Sequence, residues 1–184
     1  MNQVKPYNTE AGKKSEVEDM FDNIAPKYDL LNHVLSMKID VLWRNTLVKW
    51  MHKDQPKEVL DVATGTGDLA IAVQKGTSAK VVGLDLSQQM LNVGIEKIKK
   101  LNLDQQISMQ KGDAENLPFE SNKFDAVSVA FGVRNFENLE KGLAELRRVV
   151  KEEKSVYILE FSKVEGFLGP FYMFYFKNIL LQIG

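Results

Sequence analysis

A parallel α/β sheet with helices on both faces is the fold class this sequence predicts, on three observations. From residue 57 onward, short apolar runs alternate with helical stretches for about 100 residues. The first run ends in a glycine-rich turn that opens a helix. An acidic residue, Asp85, closes the second run at the edge where such sheets bind ligands. Crossovers between the strands should be right-handed.

The elements follow in order. Residues 1–15 are polar and read as a flexible tail. Residues 16–52 read as helical with breaks. Ser15 followed by Glu16 and Glu18 marks a start, and Pro26 ends or kinks that helix at Ala25. A second helical stretch runs from Ile39 to Met51, marked by Val41, Leu42, Leu47, Val48 and Trp50. Residues 53–184 then form the main domain. Glu58 to Val62 is its first strand, and a helix follows from Asp68 to Lys75. Lys80 to Leu86 is the second strand, and Ser87 caps a helix from Gln88 to Leu101. Ile107 to Gln110 and Phe124 to Phe131 are the third and fourth strands. Leu139 to Val150 is an amphipathic helix, and Ser155 to Phe161 the fifth strand. Leu168 to Ile183 is aromatic, mostly apolar and helical in pattern.

Composition narrows the function classes. The 184 residues suit one domain of ordinary size, with 44% hydrophobic and 27% charged residues, as in a soluble globular protein. A balance of 24 Lys+Arg against 25 Asp+Glu excludes a strongly basic nucleic-acid binder. The absence of Cys excludes disulfides, thiolate metal sites and a Cys nucleophile, and fits a reducing compartment. No metal site is expected. The polar first 20 residues hold no export signal. The most apolar stretch, 166–184, contains Pro170, Lys177, Asn178 and Gln182, which a bilayer core would oppose.

The glycine-rich turn carries the first functional signal. Gly65, Gly67 and Ala70 match the G-x-G-x-x-G/A turn that lets a nucleotide approach the backbone. Asp85 stands where an acid receives a ribose. The turn alone suits NAD, FAD or S-adenosylmethionine. Asp61 and Asp68 bracket it, and at ~4 Å each would oppose a pyrophosphate by about 4 kcal/mol. A sulfonium and an α-ammonium would instead be stabilised there. Asp68 also suits a first-turn acid favoured by the helix dipole, and Asp61 an acceptor for its own loop. Asp113, after the third strand, suits either an acceptor for an adenine amino group, with Ala114 leaving room for the ring, or a turn residue.

Together these segments resemble a class I S-adenosylmethionine methyltransferase: DVATGTGD (61–68), LDLSQQML (84–91), GDAENLPFESNKFDAV (112–127) and GLAELRRVVK (142–151). Closer still, MFDNIAPKYDLLNHVLSMKID (20–40), Trp43-Arg44, AFGVRN (130–135) and the aromatic GPFYMFYFKNIL run resemble the demethylmenaquinone / 2-methoxy-benzoquinol C-methyltransferase family. The resemblance implies a Rossmann-like three-layer sandwich with strand order 3-2-1-4-5-7-6. It implies an N-terminal helical lid over 16–52 and S-adenosylmethionine as cofactor, leaving S-adenosylhomocysteine. Members continue past the position of Gly184, so the last two strands are expected to be missing from this chain. The C-terminal aromatic helix is then expected to mediate homodimerisation.

The resemblance also implies a reaction, transfer of a methyl group to a ring carbon of a prenylated quinol in menaquinone or ubiquinone biosynthesis. Thr64, Asp85, Asp113 and Ala114 match cofactor-contacting positions of the family, joined by Asp61 and Gly65 from the turn. Some members have Ser where this chain has Ala130, and members often have Asn where Asp113 stands. Arg134 and Asn135, after the fourth strand, are the expected catalytic pair. Arg134 would stabilise a phenolate, with a surface salt bridge as its alternative role. His33 is a candidate base, while His52 reads as a helix C-terminal residue. A lipophilic quinol implies a cytoplasmic enzyme meeting the inner face of the membrane. Competing readings are a related methyltransferase for another small molecule, a nicotinamide-dependent oxidoreductase, and a cofactor-binding module without activity.

Overall fold

The computed structural model describes Pro6 and residues 12–36 and 39–160. Its strands are β1 (Glu58–Val62), β2 (Lys80–Asp85), β3 (Ile107–Lys111), β4 (Phe124–Ala130) and β5 (Val150–Leu159). Its helices are α1 (Lys13–Ile24), α2 (Tyr28–Leu35), α3 (Ile39–Lys53), α4 (Asp68–Thr77), α5 (Gln88–Lys100) and α6 (Leu139–Val149). The strands form one sheet in the order β3-β2-β1-β4-β5, with every pairing parallel. This is the class I methyltransferase arrangement among the described residues.

The centre of the sheet is apolar on both faces because helices cover both. Val59 packs with Leu47, Val48 and Met51 of α3 and Leu69, Ala70 and Val73 of α4. Its neighbour Leu60 points the other way, into Phe124, Leu146 and Val149 beside α6. Alternation therefore puts Asp61 on the α3/α4 side.

The helix ends obey the sequence signals. Ser87 Oγ accepts from the Met90 N–H at 3.1 Å, capping α5. Pro26 sits in a 3-10 turn, Ala25–Lys27, that separates α1 from α2. Two boundaries differ from expectation. The first helix starts at Lys13 rather than at Ser15. The fifth strand starts at Val150, five residues before Ser155, because α6 runs straight into it. A bulge absorbs the charged residues between, with Glu153 at φ 60° and a register shift opposite Phe124 to Ala126. The aromatic segment 168–183, and the dimer expected through it, lie outside the described residues.

Candidate active site

The strand order reverses direction between β1 and β4, and a crevice opens there at the carboxyl edge. Two backbone features shape its floor. Gly65 and Gly67 adopt φ of 57° and 79°, the left-handed region that glycine enters without penalty. The turn they make brings the Gly65 N–H 2.8 Å from Asp85 Oδ2. Asp85 Oδ1 accepts from the Ser87 N–H at 2.9 Å. Burial pushes the Asp85 carboxyl above its usual range, and these N–H groups hold it back.

The larger of two adjoining chambers has about 730 Å³ of empty space, including its open mouth. Its walls come from the carboxyl ends of β1, β2, β3 and β4: Gly65, Asp85, Asp113, Ala114, Ala130 and Asn135 among them. Its roof is the N-terminal segment, through Lys14, Val17, Phe21 and Tyr28. The lining is mostly apolar, with carboxylates at Asp85 and Asp113. A ring system bearing hydroxyls and a positive charge suits such a lining, and a pyrophosphate does not.

Ion pairs fasten this roof to the sheet edge. Lys14 Nζ meets Asp113 Oδ2 at 2.7 Å and Glu115 Oε2 at 3.4 Å. Glu18 meets Lys111 at 2.7 Å. Asp22 accepts from Ser87 Oγ and, at 3.2 Å, from the Gln89 N–H. Buried Lys13 donates to the carbonyls of Arg134 and Phe136 at 2.9 and 2.7 Å. Asp113 Oδ1 is itself tied to the Glu115 N–H at 2.9 Å. Its turn role and its place in the chamber wall therefore coexist.

The smaller chamber lies beside the first and shares Tyr28, Ala63, Gly65, Ala130 and Phe131 with it. Asp61 is 1% exposed and lines this second chamber. Its carboxylate accepts from Thr64 Oγ1 at 2.6 Å and from Ser128 Oγ at 2.7 Å. Burial pushes its pKa up to about 6 against the pull of those hydroxyls. Asp68 is held by Lys97 at 2.6 Å and by Arg44 at 3.3 Å. It is thus part of a charge network and less an open anion than its place in the turn suggests. Lys97 reaches Asp29 of α2 as well, at 2.7 Å.

Of the expected catalytic pair, Asn135 lines the larger chamber. Arg134 follows β4 as expected, and its Nη1 lies 2.5 Å from Glu160 Oε1 with the side chain 48% exposed. Its charge still reaches Tyr28, where it offsets part of the rise that burial imposes on that phenol. The His33 side chain is outside the described residues. His52 lies in the last turn of α3, with Nδ1 2.8 Å from the Gly76 carbonyl oxygen. Sequence reasoning missed Arg44 as a chamber residue, Ser128 as the buried partner of Asp61, and Lys13, Lys14 and Lys97 as fasteners. Only Arg44 left a signal, an arginine four residues after Asp40 inside an apolar helix pattern.

The model of the ubiE/COQ5 methyltransferase family matches residues 9–184. The chain belongs to the ubiE/COQ5 methyltransferase family. It is accordingly a methyltransferase. A demethylmenaquinone methyltransferase of Bacteroides fragilis is 44% identical over 183 residues, covering 98% of this chain and 75% of that protein. A ubiquinone/menaquinone biosynthesis C-methyltransferase UbiE of Geotalea uraniireducens is 43% identical, covering 96% and 75%. Among solved structures, a SAM dependent methyltransferase from Aquifex aeolicus matches with a TM-score of 0.55 at 30% identity, covering 60% of this chain and 59% of that one. A structure from Methanococcus maripaludis covers 96% of this chain and 77% of that one with a TM-score of 0.64 and, at 21% identity, shows a shared fold alone.

Proposed function

We propose that this methyltransferase binds S-adenosylmethionine in the two-chambered crevice and methylates a ring carbon of a prenylated quinol. The substrate class is demethylmenaquinol or its ubiquinone-pathway counterpart. One observation carries the cofactor reading: an acid-lined apolar crevice at the β1/β4 switch point, floored by the Gly65–Gly67 turn, whose basic groups among the described residues, Lys14 and Arg44, are each paired to carboxylates and not gathered for a phosphate. The family supports the reaction, and relatives named for demethylmenaquinone support the substrate.

Asp85 would receive the ribose hydroxyls, and Ala114 and Asp113 the adenine. Thr64 would act through Asp61, whose carboxylate it holds, and Gly65 through its backbone. The bound cofactor supplies an electrophilic methyl group. The chain's own work is to present a ring carbon in line with it and to stabilise the phenolate that makes that carbon nucleophilic. Arg134 and Asn135 stand at the end of β4 for this purpose. The guanidinium stays protonated, so it serves as an electrostatic partner; the phenol proton leaves to water, and once the methyl is on the ring carbon that carbon gives up its own proton to solvent, the ring regains aromaticity and the oxygen is reprotonated. Burial keeps the Tyr28 phenol protonated where the chambers meet, so it can donate a hydrogen bond to the quinol oxygen. A lipophilic substrate also calls for contact with a membrane surface; no described helix is long and apolar enough to cross one.

Calorimetry tests the cofactor reading directly. S-adenosylhomocysteine should bind and NADH should not, and Asp85→Ala should remove the binding. NADH binding would overturn the reading. Methyl transfer to a short-chain demethylmenaquinol analogue then tests the substrate.

A further inference from the structure

We infer that the outer face of α3 is a docking surface for an anionic lipid bilayer, on which the helix lies flat with the crevice beside it. The inference deepens the prenylated-quinol reading, on which it rests, by naming the surface that meets the membrane. The inner face of α3 is already used. Leu47, Val48 and Met51 pack into the core, and Asp40 pairs with Arg44 in the interior. The outer face is apolar as well. Leu42 is 64% exposed, Trp50 60%, Trp43 39% and Ile39 38%. At 3.6 residues per turn these four fall, with Lys49 and Lys53, on one arc of about 120°. Thr46 lies among them, and its hydroxyl donates to the Leu42 carbonyl oxygen at 2.9 Å.

Single exposed apolar residues are ordinary on a protein surface, but a stripe of them marks an interaction site. Charge decides the partner. Lys49 and Lys53 make no hydrogen bond or ion pair among the described residues. The helix has a single carboxylate, Asp40, which is buried. Its exposed face therefore carries two ammonium groups and no anion, in a chain whose net charge is −1. Tryptophan and leucine beside lysine is the composition of a helix that lies in a lipid interface. At 15 residues, about 22 Å, α3 is too short to cross a hydrocarbon core of about 30 Å. Continuity sets the orientation. The Trp43 ring lies 6.2 Å from the Phe131 ring, and Phe131 lines both chambers. A lipophilic ligand leaving the bilayer at Trp43 thus meets the wall of the crevice.

The chain holds 2 tryptophans, Trp43 and Trp50, so its intrinsic fluorescence reports this face. The intact chain is mixed with vesicles of phosphatidylcholine, alone or with about a third phosphatidylglycerol, with and without brominated acyl chains. It should bind the anionic vesicles, shift its emission to the blue and be quenched by bromination. Lys49→Gln/Lys53→Gln should weaken that binding by about 25-fold, about fivefold per lysine, and leave binding to neutral vesicles unchanged. Leu42→Ser/Trp50→Ser should weaken binding to both kinds at least about 10-fold, with an unchanged thermal melt. Turnover of a short-chain quinol analogue in solution should stay within about twofold in both variants, while turnover of a quinol embedded in anionic vesicles falls with binding. Binding that survives Leu42→Ser/Trp50→Ser, or that leaves the tryptophans unquenched, puts the contact elsewhere in the chain and overturns the inference. A wild type that ignores anionic vesicles, with α3 covered by residues 161–184 or by a second copy, overturns it too. A chain that binds vesicles through α3 but methylates no quinol analogue overturns the quinol reading and leaves the docking surface.

Discussion

Thr64 Oγ1 donates to Asp61 Oδ2 at 2.6 Å, so the first carboxylate of the glycine-rich turn is held by the hydroxyl three residues after it. Ser128 on β4, the register partner of Asp61, holds the other oxygen at 2.7 Å. Two hydroxyls thus fix the direction of a buried carboxylate before any ligand arrives. They compensate its desolvation only in part, and the carboxyl titrates near pH 6.

The first prediction follows from that pKa. A carboxyl raised from 3.8 to about 6 binds a proton more readily folded than unfolded. Its ionisation therefore subtracts stability as pH rises through that window. Asp61→Asn keeps a partner for each hydroxyl and removes the charge. It should raise stability at pH 8 by about 1–3 kcal/mol, with the gain vanishing below pH 4. The same variant should bind S-adenosylhomocysteine at least about 10-fold more weakly, since its ammonium loses a charged partner. In wild type, affinity should fall about 10-fold from pH 7.5 to pH 5, as the ionised fraction falls. Thermal melts and titrations at the two pH values check both halves. An affinity flat across that range would free Asp61 from the ligand.

Arg134 gives the second prediction. Its Nη1 lies 2.5 Å from Glu160 in the structure, and a quinol oxygen would compete for the same guanidinium. Arg134→Ala should cost about 100-fold or more in turnover while S-adenosylhomocysteine affinity stays within about twofold. Glu160→Gln should retain turnover. An undiminished rate in Arg134→Ala would remove the residue from the mechanism.

The third prediction concerns acid stability away from the site. Asp125 accepts from the Lys57 and Glu58 N–H groups at 2.8 and 3.0 Å and pairs with Lys151 at 2.7 Å. Partial burial alone would raise its pKa, but Lys151 and those N–H groups outweigh it and hold the carboxyl at about 2. A depressed carboxylate pKa adds stability that is present above the unfolded value and lost as pH falls through the folded one. Asp125→Asn should lower Tm by a few degrees at pH 7, and the gap should close between pH 4 and pH 2. A gap of equal size at pH 2 would mean that the packing of Asp125, not its charge, matters.

How much of this could be read from the chain depends on sequence distance. β1, β2 and β4 were legible because each is an apolar run buried along most of its length, and the crevice because Gly65, Gly67 and Asp85 sit at fixed spacing around one turn. Ser128 was not legible, since its link to Asp61 requires the β1–β4 register. Nor was the fastening of the N-terminal helices. Lys14 and Asp113 are 99 residues apart, and Lys13 and Phe136 are 123 apart. Both lysines fall in a stretch whose polarity reads as a tail, yet Lys13 is buried against carbonyls of the β4 loop. The fifth strand was half hidden because Lys151 to Lys154, just after its first residue Val150, are charged and bulged at the edge of the described sheet. Polarity marks exposure in such a segment and does not distinguish a loop from an edge strand.

The wall shared by the two chambers supplies the last prediction. Gly132 has φ −105°, which any residue adopts, so its role is spatial. A Cβ there would lie 2.5 Å from the Cβ of Ala63, and neither atom can move without its backbone. Ala63, at φ 53°, and Gly132 belong to the loops after β1 and β4. Gly132→Ala must push those loops apart at the switch point. It should cost about 1–3 kcal/mol, as overpacking does, and weaken S-adenosylhomocysteine binding by about 10-fold. Ala63→Gly removes the opposing methyl and suits the positive φ, so the double variant Gly132→Ala/Ala63→Gly should regain most of both losses. A coupling of about 1 kcal/mol or more in that cycle would locate the defect in this one contact. Additive losses would instead mean that Gly132 acts through the Val129 side, where the new Cβ would lie 3.3 Å from Cγ2.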